Sequence, residues 1–471
     1  MDLLKKSSGK KCPGHLVMAL LAIALMCGGC TRSPKPRPGR APRNVLLVTM
    51  SALRTDHLSA YMYARPTTAW PATEEERRLG RALSLDDLAE QGVLFADASS
   101  GAPRTFPALC SLMTGARTAA ASDAEGDRAL ESEATTLAES FRTAGFKTAA
   151  FTAGQWLREP RGLEQGFDTV VARFSDSAIL DLSRQWLEAA EEEPERPWFL
   201  WVHFAGGEPP HDPRGLPPLP GGAPGVLDFS RLYTAADYSG PADGSIAHLA
   251  RLARGEVTAD ARDRAQVLDR YDGEVARLNS SLRTLVLALR NLNESGSRWN
   301  DTVFVFAGLH GIEFGERDPR AWGSDSLAAS VLSVPLILRH PGSLTGSRVM
   351  GEPVGLEDIG PTLCDWFGLP ALSARENSRM GRSLLALLDT YVQREFVSRP
   401  AYAERTGKNP ERALRTREYA IVERVREGVR SFAVFDRIAD PAELVDLAPQ
   451  RPELLAELRA ALERETFGTT P

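Results

Sequence analysis

Apolar residues along the chain gather in short dense runs, separated by stretches in which they recur every three or four positions. "NVLLVTM" opens the series. The continuous apolar character of this and later runs predicts buried strands at 44–50, 147–153, 198–205, 302–308 and 334–340. Between them, "SLDDLAEQG" (84–92) and "TTLAESFRTAG" (135–145) carry helical spacing and end in Gly, a natural C-terminal stop. Strands alternating with helices predict an α/β fold whose sheet is mostly parallel and covered on both faces. In such sheets the chemistry gathers beyond the C-terminal strand ends. Residues 69–84 read as a surface insertion, as does much of 206–264, rich in Gly, Pro, Asp and Arg. Near the end, "ALRTREYAIVERV" and "RSFAVFDRI" read as two strands joined by "REGV", and "PELLAELRAALERE" as a closing helix. No internal repeat is present.

The first forty residues break this pattern. Four Lys precede an 11-residue apolar run, "LVMALLAIALM", too short to span a bilayer comfortably and suited to a signal peptide core. It runs into "CGGC", which resembles a bacterial lipobox with Cys30 as the lipidated first residue of the mature chain; a plain secretory signal or short anchor is the alternative. Residues 31–43 are rich in Pro and Arg and read as an extended tether. The expected organisation is therefore a signal peptide and lipobox (1–30), the tether (31–43), a main domain (44–394) and a small C-terminal subdomain (395–471).

The 471-residue chain has 43% hydrophobic and 25% charged residues and a formal charge of −6, a globular composition without the basic excess of a nucleic-acid binder. Loss of residues 1–29 removes four Lys and one Asp and leaves the mature chain near −9. Two cysteines of the mature domain, Cys110 and Cys364, lie in apolar segments. They read as buried free thiols, with a single disulfide as the other reading.

Eight segments resemble, in order, those of the sulfatase family of the alkaline-phosphatase-like superfamily. They begin with "NVLLVTMSALRTDHLSAYMYARPTT" and "LDDLAEQGVLFADASSGAPRTFPALCSLMTG". "TAGQWLREPRGLEQGFDTV", "PWFLWVHF", "DTVFVFAGLHGIEFGER", "VPLILRHPG" and "EPVGLEDIGPTLCDWFGLP" follow, and "ALRTREYAIV…FDRIADPAELVDLAPQRPELLAELRAAL" closes the series. The resemblance implies a three-layer sandwich around a mostly parallel sheet, with a small α+β C-terminal subdomain. It also implies hydrolysis or transfer of sulfate or phosphate esters with a divalent cation, such as calcium or manganese, held by Asp at two strand ends.

Those acids are missing. Ser51 stands where the family pattern has the first Asp, and Leu309 where "SDHG" has the second. A leucine cannot coordinate, and His310 alone does not hold a hard cation. Thr105 stands at the nucleophile position but cannot yield formylglycine, and the Arg that follows in the family is Leu109. Thr105 near Pro107 suits a helix N-terminus, either as a direct nucleophile or as an ordinary cap. Glu208 falls near the family's His, and His211 is a substitute for it. Gly323 matches a position that tends to be His or Lys. Asp56, His57, Glu313, Glu316 and Asp318 are the acids and imidazole available to rebuild a metal site, although Arg54 and Asp56 are expected to pair.

The expectation is thus a lipid-anchored, catalytically degenerate sulfatase relative with no cofactor. Its partners would be the membrane, through the lipid, and a protein or anionic ligand. The alternatives are a working metal-dependent ester hydrolase or transferase using Thr105 and His310, and a structural subunit that pairs with an active paralogue. A pocket floor with Ser51 and Leu309 facing one another follows from the first reading.

Overall fold

The computed structural model describes residues 42–467 apart from 71, 118–129, 131–133, 155–160, 174, 210–228, 294, 345, 375–378 and 389–395. Cys30, the tether up to residue 41 and His211 lie outside the described residues. So do parts of the 206–264 stretch and of "TAGQWLREPRGLEQGFDTV".

Eight strands form the main sheet. In chain order they are β1 (Asn44–Met50), β2 (Val93–Phe95), β3 (Lys147–Ala153), β4 (Thr169–Arg173), β5 (Trp198–Phe204), β6 (Thr302–Gly308), β7 (Leu336–Arg339) and β8 (Arg348–Met350). They lie in the order β8-β2-β7-β6-β1-β5-β3-β4. β1 pairs in parallel with both β5 and β6, β3 with β5 and β4, and β8 with β2; β7 alone runs reversed, antiparallel to β6 and β2. The five expected strands are all present. β2, β4 and β8 are additional, and each is a short or edge strand whose pattern is too brief to stand out.

The sheet is covered on both faces, and β1 shows how. Val45 and Leu47 belong to one apolar cluster, while Leu46, Val48 and Met50 belong to another, as the two-residue period of a strand requires. The first cluster includes residues of α2 (Thr105–Thr114), α3 (Leu137–Thr143) and α6 (Ile359–Phe367). The second includes residues of α1 (Leu85–Gln91), α4 (Asp176–Ala190) and α5 (Ala261–Arg290). α1 and α3 each start with a complete capping box, Ser84 with Asp87 and Thr136 with Glu139. α5, 30 residues long, has the same device in Asp260 and Asp263. It lies in a region whose beginning the polar composition marked as insertion. Of the 69–84 stretch, Glu74–Arg78 is a single exposed turn closed by Thr73 and Glu76.

The C-terminal part holds a second, antiparallel sheet of β9 (Ala401–Arg405), β10 (Glu411–Arg415), β11 (Tyr419–Arg426) and β12 (Val429–Asp436), in that order, with α7 (Pro452–Phe467) after it. Two strands were expected and four are found. "ALRTREYAIVERV" folds back on itself because Thr416 makes a tight turn. Its N–H donates to the Tyr419 carbonyl (2.8 Å), and its hydroxyl accepts from the Tyr419 N–H (2.9 Å).

Candidate functional site

The β1–β6 register pairs Met50 with Gly308, and the Leu309 N–H donates to the Met50 carbonyl at 2.8 Å, so Ser51 and Leu309 leave the sheet side by side. Parity continues past the strands. Thr49 and Ser51 follow Val45 and Leu47 toward the α2 side, and Leu309 follows Val303, Val305 and Ala307 into the same apolar cluster. Leu309 is fully buried there, with Phe106 and Leu109 of α2 in that cluster. It completes the hydrophobic layer rather than facing Ser51 across a pocket floor.

Ser51 turns instead to a chain of polar groups. Its Oγ lies 2.9 Å from Thr105 Oγ1 and 3.4 Å from His203 Nε2. His203 Nδ1 lies 2.9 Å from Thr49 Oγ1, which accepts from the Trp201 indole N–H at 2.9 Å. Thr105 donates to Glu208 Oε1 at 2.7 Å and lies 2.9 Å from His310 Nε2. His310 Nδ1 faces the Gly311 carbonyl at 2.9 Å, which calls for a proton on Nδ1. Ser51, Thr105, His203 and His310 are all buried.

The backbone is shaped to allow this closeness. Ala52 holds φ +54° just after the strand, a left-handed conformation that strains a residue with a Cβ. The turn is clamped by Tyr271, whose hydroxyl donates to the Ala52 carbonyl (2.8 Å) and accepts from the Arg54 N–H (2.9 Å). Gly207 passes so near that a Cβ there would sit 2.3 Å from the Ser51 carbonyl oxygen.

Thr105 is the first helical residue of α2, not its cap. The cap position is Arg104, which makes no side-chain capping bond. The expectation of an N-capping Thr is therefore corrected by one residue. In the first turn the Thr105 hydroxyl projects into the polar chain, and Pro107 is tolerated because early helix N–H groups lack intrahelical partners.

Burial pushes the His203 imidazole down to about 4, despite the nearby Glu208 and Asp176 carboxylates. His203 is thus neutral near pH 7. Burial also opposes ionisation of Glu208. The His310 imidazole, 3.7 Å away, and the Thr105 hydroxyl outweigh it and hold the carboxyl below its usual range.

The acids available to rebuild a metal site are committed elsewhere. Asp56 and Glu316 both pair with Arg54, with the Asp56 contact at 2.6 Å. Burial disfavours the Arg54 charge, but these two carboxylates more than restore it. His57 bonds to Asp272 at 2.6 Å. Glu313 takes Arg317 (3.0 Å) and Ser326 (2.5 Å), and Asp318 accepts from the Arg320 N–H at 2.9 Å. Gly323 lies in a two-residue ladder with Glu313. Cys110 and Cys364 are buried free thiols.

A hard divalent cation needs several anionic oxygens. Around Thr105 the donors are two hydroxyls, two imidazoles and the single carboxylate of Glu208. Among the described residues, no group of three or more His, Cys, Asp or Glu is disposed to hold a metal ion. The donor set does not fit the cation that the family resemblance implies. His203 and Thr49 are site residues that the sequence reading passed over. The one signal was a His at inward parity inside an otherwise apolar strand.

Comparison with known proteins bears on the family and the fold. The family model described as Sulfatase matches residues 43–369. An ulvan-active sulfatase of Formosa agariphila is 24% identical over 418 residues, covering 81% of this chain and 75% of that protein. Two phosphonate monoester hydrolases share the fold. That of Agrobacterium radiobacter has a TM-score of 0.65 at 19% identity, over 90% of this chain and 96% of the other. That of Silicibacter pomeroyi has a TM-score of 0.66 at 18% identity, over 90% and 95%.

Proposed function

This chain belongs to the sulfatase family, and from that premise we propose that it is a catalytically degenerate member. It would act as a lipid-anchored binding or scaffold module outside the bacterial cytoplasm. The observation that carries the reading is the hydrogen-bonded chain Thr49–His203–Ser51–Thr105 between the strand ends. It satisfies the groups a cation would otherwise organise, while Leu309 is built into the apolar core. A site arranged in this way has its polar groups partnered without an ion, and its donor set does not fit the hard cation that ester hydrolysis in this fold draws upon.

Anchoring rests on the basic segment, the apolar run and Cys30. Among the described residues no helix is long and apolar enough to cross a membrane. Cys30→Ser is expected to leave the protein unlabelled by lipid precursors and released from membranes. Unchanged labelling and fractionation would remove Cys30 as the anchor.

One observation favours an active enzyme. Thr105 Oγ1 lies 2.9 Å from His310 Nε2 at a helix N-terminus, the relation of a nucleophile to its base. Calorimetric titration with calcium, magnesium, manganese and zinc, beside assays for aryl sulfatase, phosphomonoesterase and phosphodiesterase, separates the two readings. The degenerate reading expects no binding at micromolar concentration and background turnover. Micromolar binding together with an esterase activity that Thr105→Ala abolishes would install the enzyme in its place.

A further inference from the structure

A cavity of about 560 Å³ lies where the loops of the main sheet meet the C-terminal sheet, and Thr105, Ser51 and His310 take no part in it. Its volume is that of a small-molecule site. Five arginines and three acids line it. Arg415, Arg417 and Arg437 come from neighbouring turns of the C-terminal sheet, because Arg437 donates its N–H to the Glu418 carbonyl at 2.8 Å.

These guanidinium groups have more donors than acceptors. Each carries five N–H groups. Arg415 donates to Glu443 (2.5 Å) and Ser333 (3.2 Å), and its Nε has no partner. Arg437 is held by both oxygens of Asp97 and by the Thr416 carbonyl, and its Nε also has no partner. Arg417 is exposed and has no carboxylate within ion-pair distance among the described residues. Burial disfavours the Arg415 charge and Arg437 adds to this, while Glu443 and Asp97 offset it only in part. An anion between them would relieve that repulsion. At the rim, Ile438 is 69% exposed and offers an apolar surface to an organic substituent.

We infer that this interdomain cavity binds a small organic sulfate or phosphate, its tetrahedral oxyanion held by Arg415, Arg417 and Arg437. Three guanidinium groups side by side offer more N–H donors than a planar carboxylate can use and suit an oxyanion with three free oxygens. The inference goes beyond the degenerate reading and does not depend on it, since the cavity is separate from Thr105.

The test is calorimetric titration of the mature chain with phenyl sulfate and with phenyl phosphate, at ionic strength fixed by sodium chloride so that screening is constant. One equivalent should bind at millimolar concentration or tighter. Arg417→Glu, at an exposed position that leaves the fold intact, should weaken binding by at least about tenfold, and Arg417→Lys by less. Thr105→Val should leave it unchanged. The tighter of the two probes identifies the ester. No binding of either probe, equal binding by Arg417→Glu, or loss of binding in Thr105→Val would each overturn the assignment.

Discussion

Two polar clusters flank the turn after β1, and they are built on opposite principles. On one side, Asp272 is fully buried and accepts from His57 (2.6 Å), Tyr63 (2.8 Å) and Arg65 (2.7 Å), while Arg54 nearby bridges Asp56 and Glu316. On the other, Ser51, Thr105 and His203 meet through hydroxyls and a neutral ring. Charge is retained where it ties loops to α5, and it is nearly absent where it would hold a cation. The loops around the site are thus tied by ion pairs, while its centre is joined by neutral hydrogen bonds.

The largest effect should come from the charged side. Asp272→Ala strips the common acceptor from three buried or half-buried donors, and losing one member of such a buried pair costs about 3–5 kcal/mol. Ser51→Ala removes only neutral hydrogen bonds, at a cost of about 1–2 kcal/mol. Urea unfolding of the two variants measures the difference directly. Equal losses would mean that the neutral chain is as structural as the ion pairs.

Next in size is the attempt to place on the neutral side the two Asp residues that the family resemblance implies. Ser51→Asp with Leu309→Asp should be poorly stable without metal, because Leu309→Asp sets a carboxylate in an apolar cluster. Calcium should then stabilise the double variant, by about 2.7 kcal/mol at a hundredfold excess over its dissociation constant. Neither single variant should respond, since a hard cation needs several anionic oxygens together. Thermal unfolding with and without calcium reads this out, and a response from either single variant would show that fewer donors suffice. Turnover should remain poor even in the double variant, because Leu109 still stands at the position of the family's Arg.

How much of this was legible in the sequence depended on whether a feature is written in periodicity or in geometry. The five long strands and the adjacency of Ser51 to Leu309 follow from apolar runs and family order. α5 was not read, although Val267, Tyr271, Val275, Leu278, Leu282 and Leu289 form a buried stripe along it; its polar N-terminal half merged with the insertion before it. Thr105 was placed at the right helix end but one residue early, and in a helix one residue is a turn of about 100°, enough to carry a hydroxyl from the cap into the site. The hairpin joined by "REGV" brings Arg437 beside Arg417, and the inward His of an apolar strand marks His203, but the partners that His203 meets on β1 come from strand pairing across distant segments, which no local pattern records.

The pH dependence sharpens the comparison further. The folded pKa of His203 is lowered to about 4, against about 6.5 for an unfolded His. The unfolded chain therefore binds the extra proton first. The contribution is complete above about pH 6.5 and is lost as pH falls toward 4, at up to about 1.4 kcal/mol per pH unit. His340, also lowered to about 4 by burial and by Arg339, acts in the same direction. Glu208, held below its usual range, adds a further loss at lower pH. His203→Gln should make the acid limb of the stability curve shallower by about one proton's worth, leaving the part due to His340. An unchanged slope would mean that His203 titrates alike in both states.

The smallest effect belongs to Ala52, the joint between the two clusters. Its φ of +54° costs a non-glycine residue about 1–2 kcal/mol, so Ala52→Gly should relieve strain. Two terms oppose this. Ala52 is fully buried, and losing its methyl forfeits about 0.8 kcal/mol of burial. Glycine also loosens the unfolded chain, by about 0.4–1 kcal/mol. The terms nearly cancel, and the net change should lie within about 1 kcal/mol of zero. The informative readout is therefore the site rather than stability. The Tyr271 hydroxyl clamps this turn from α5, so the turn should hold its shape without help from the Ala52 side chain. If Ala52→Gly leaves stability and the Ser51–Thr105 contact in a crystal structure unchanged, the clamp alone sets the conformation. A loss well beyond 1 kcal/mol would mean that the strained alanine is itself part of what keeps Ser51 beside Thr105.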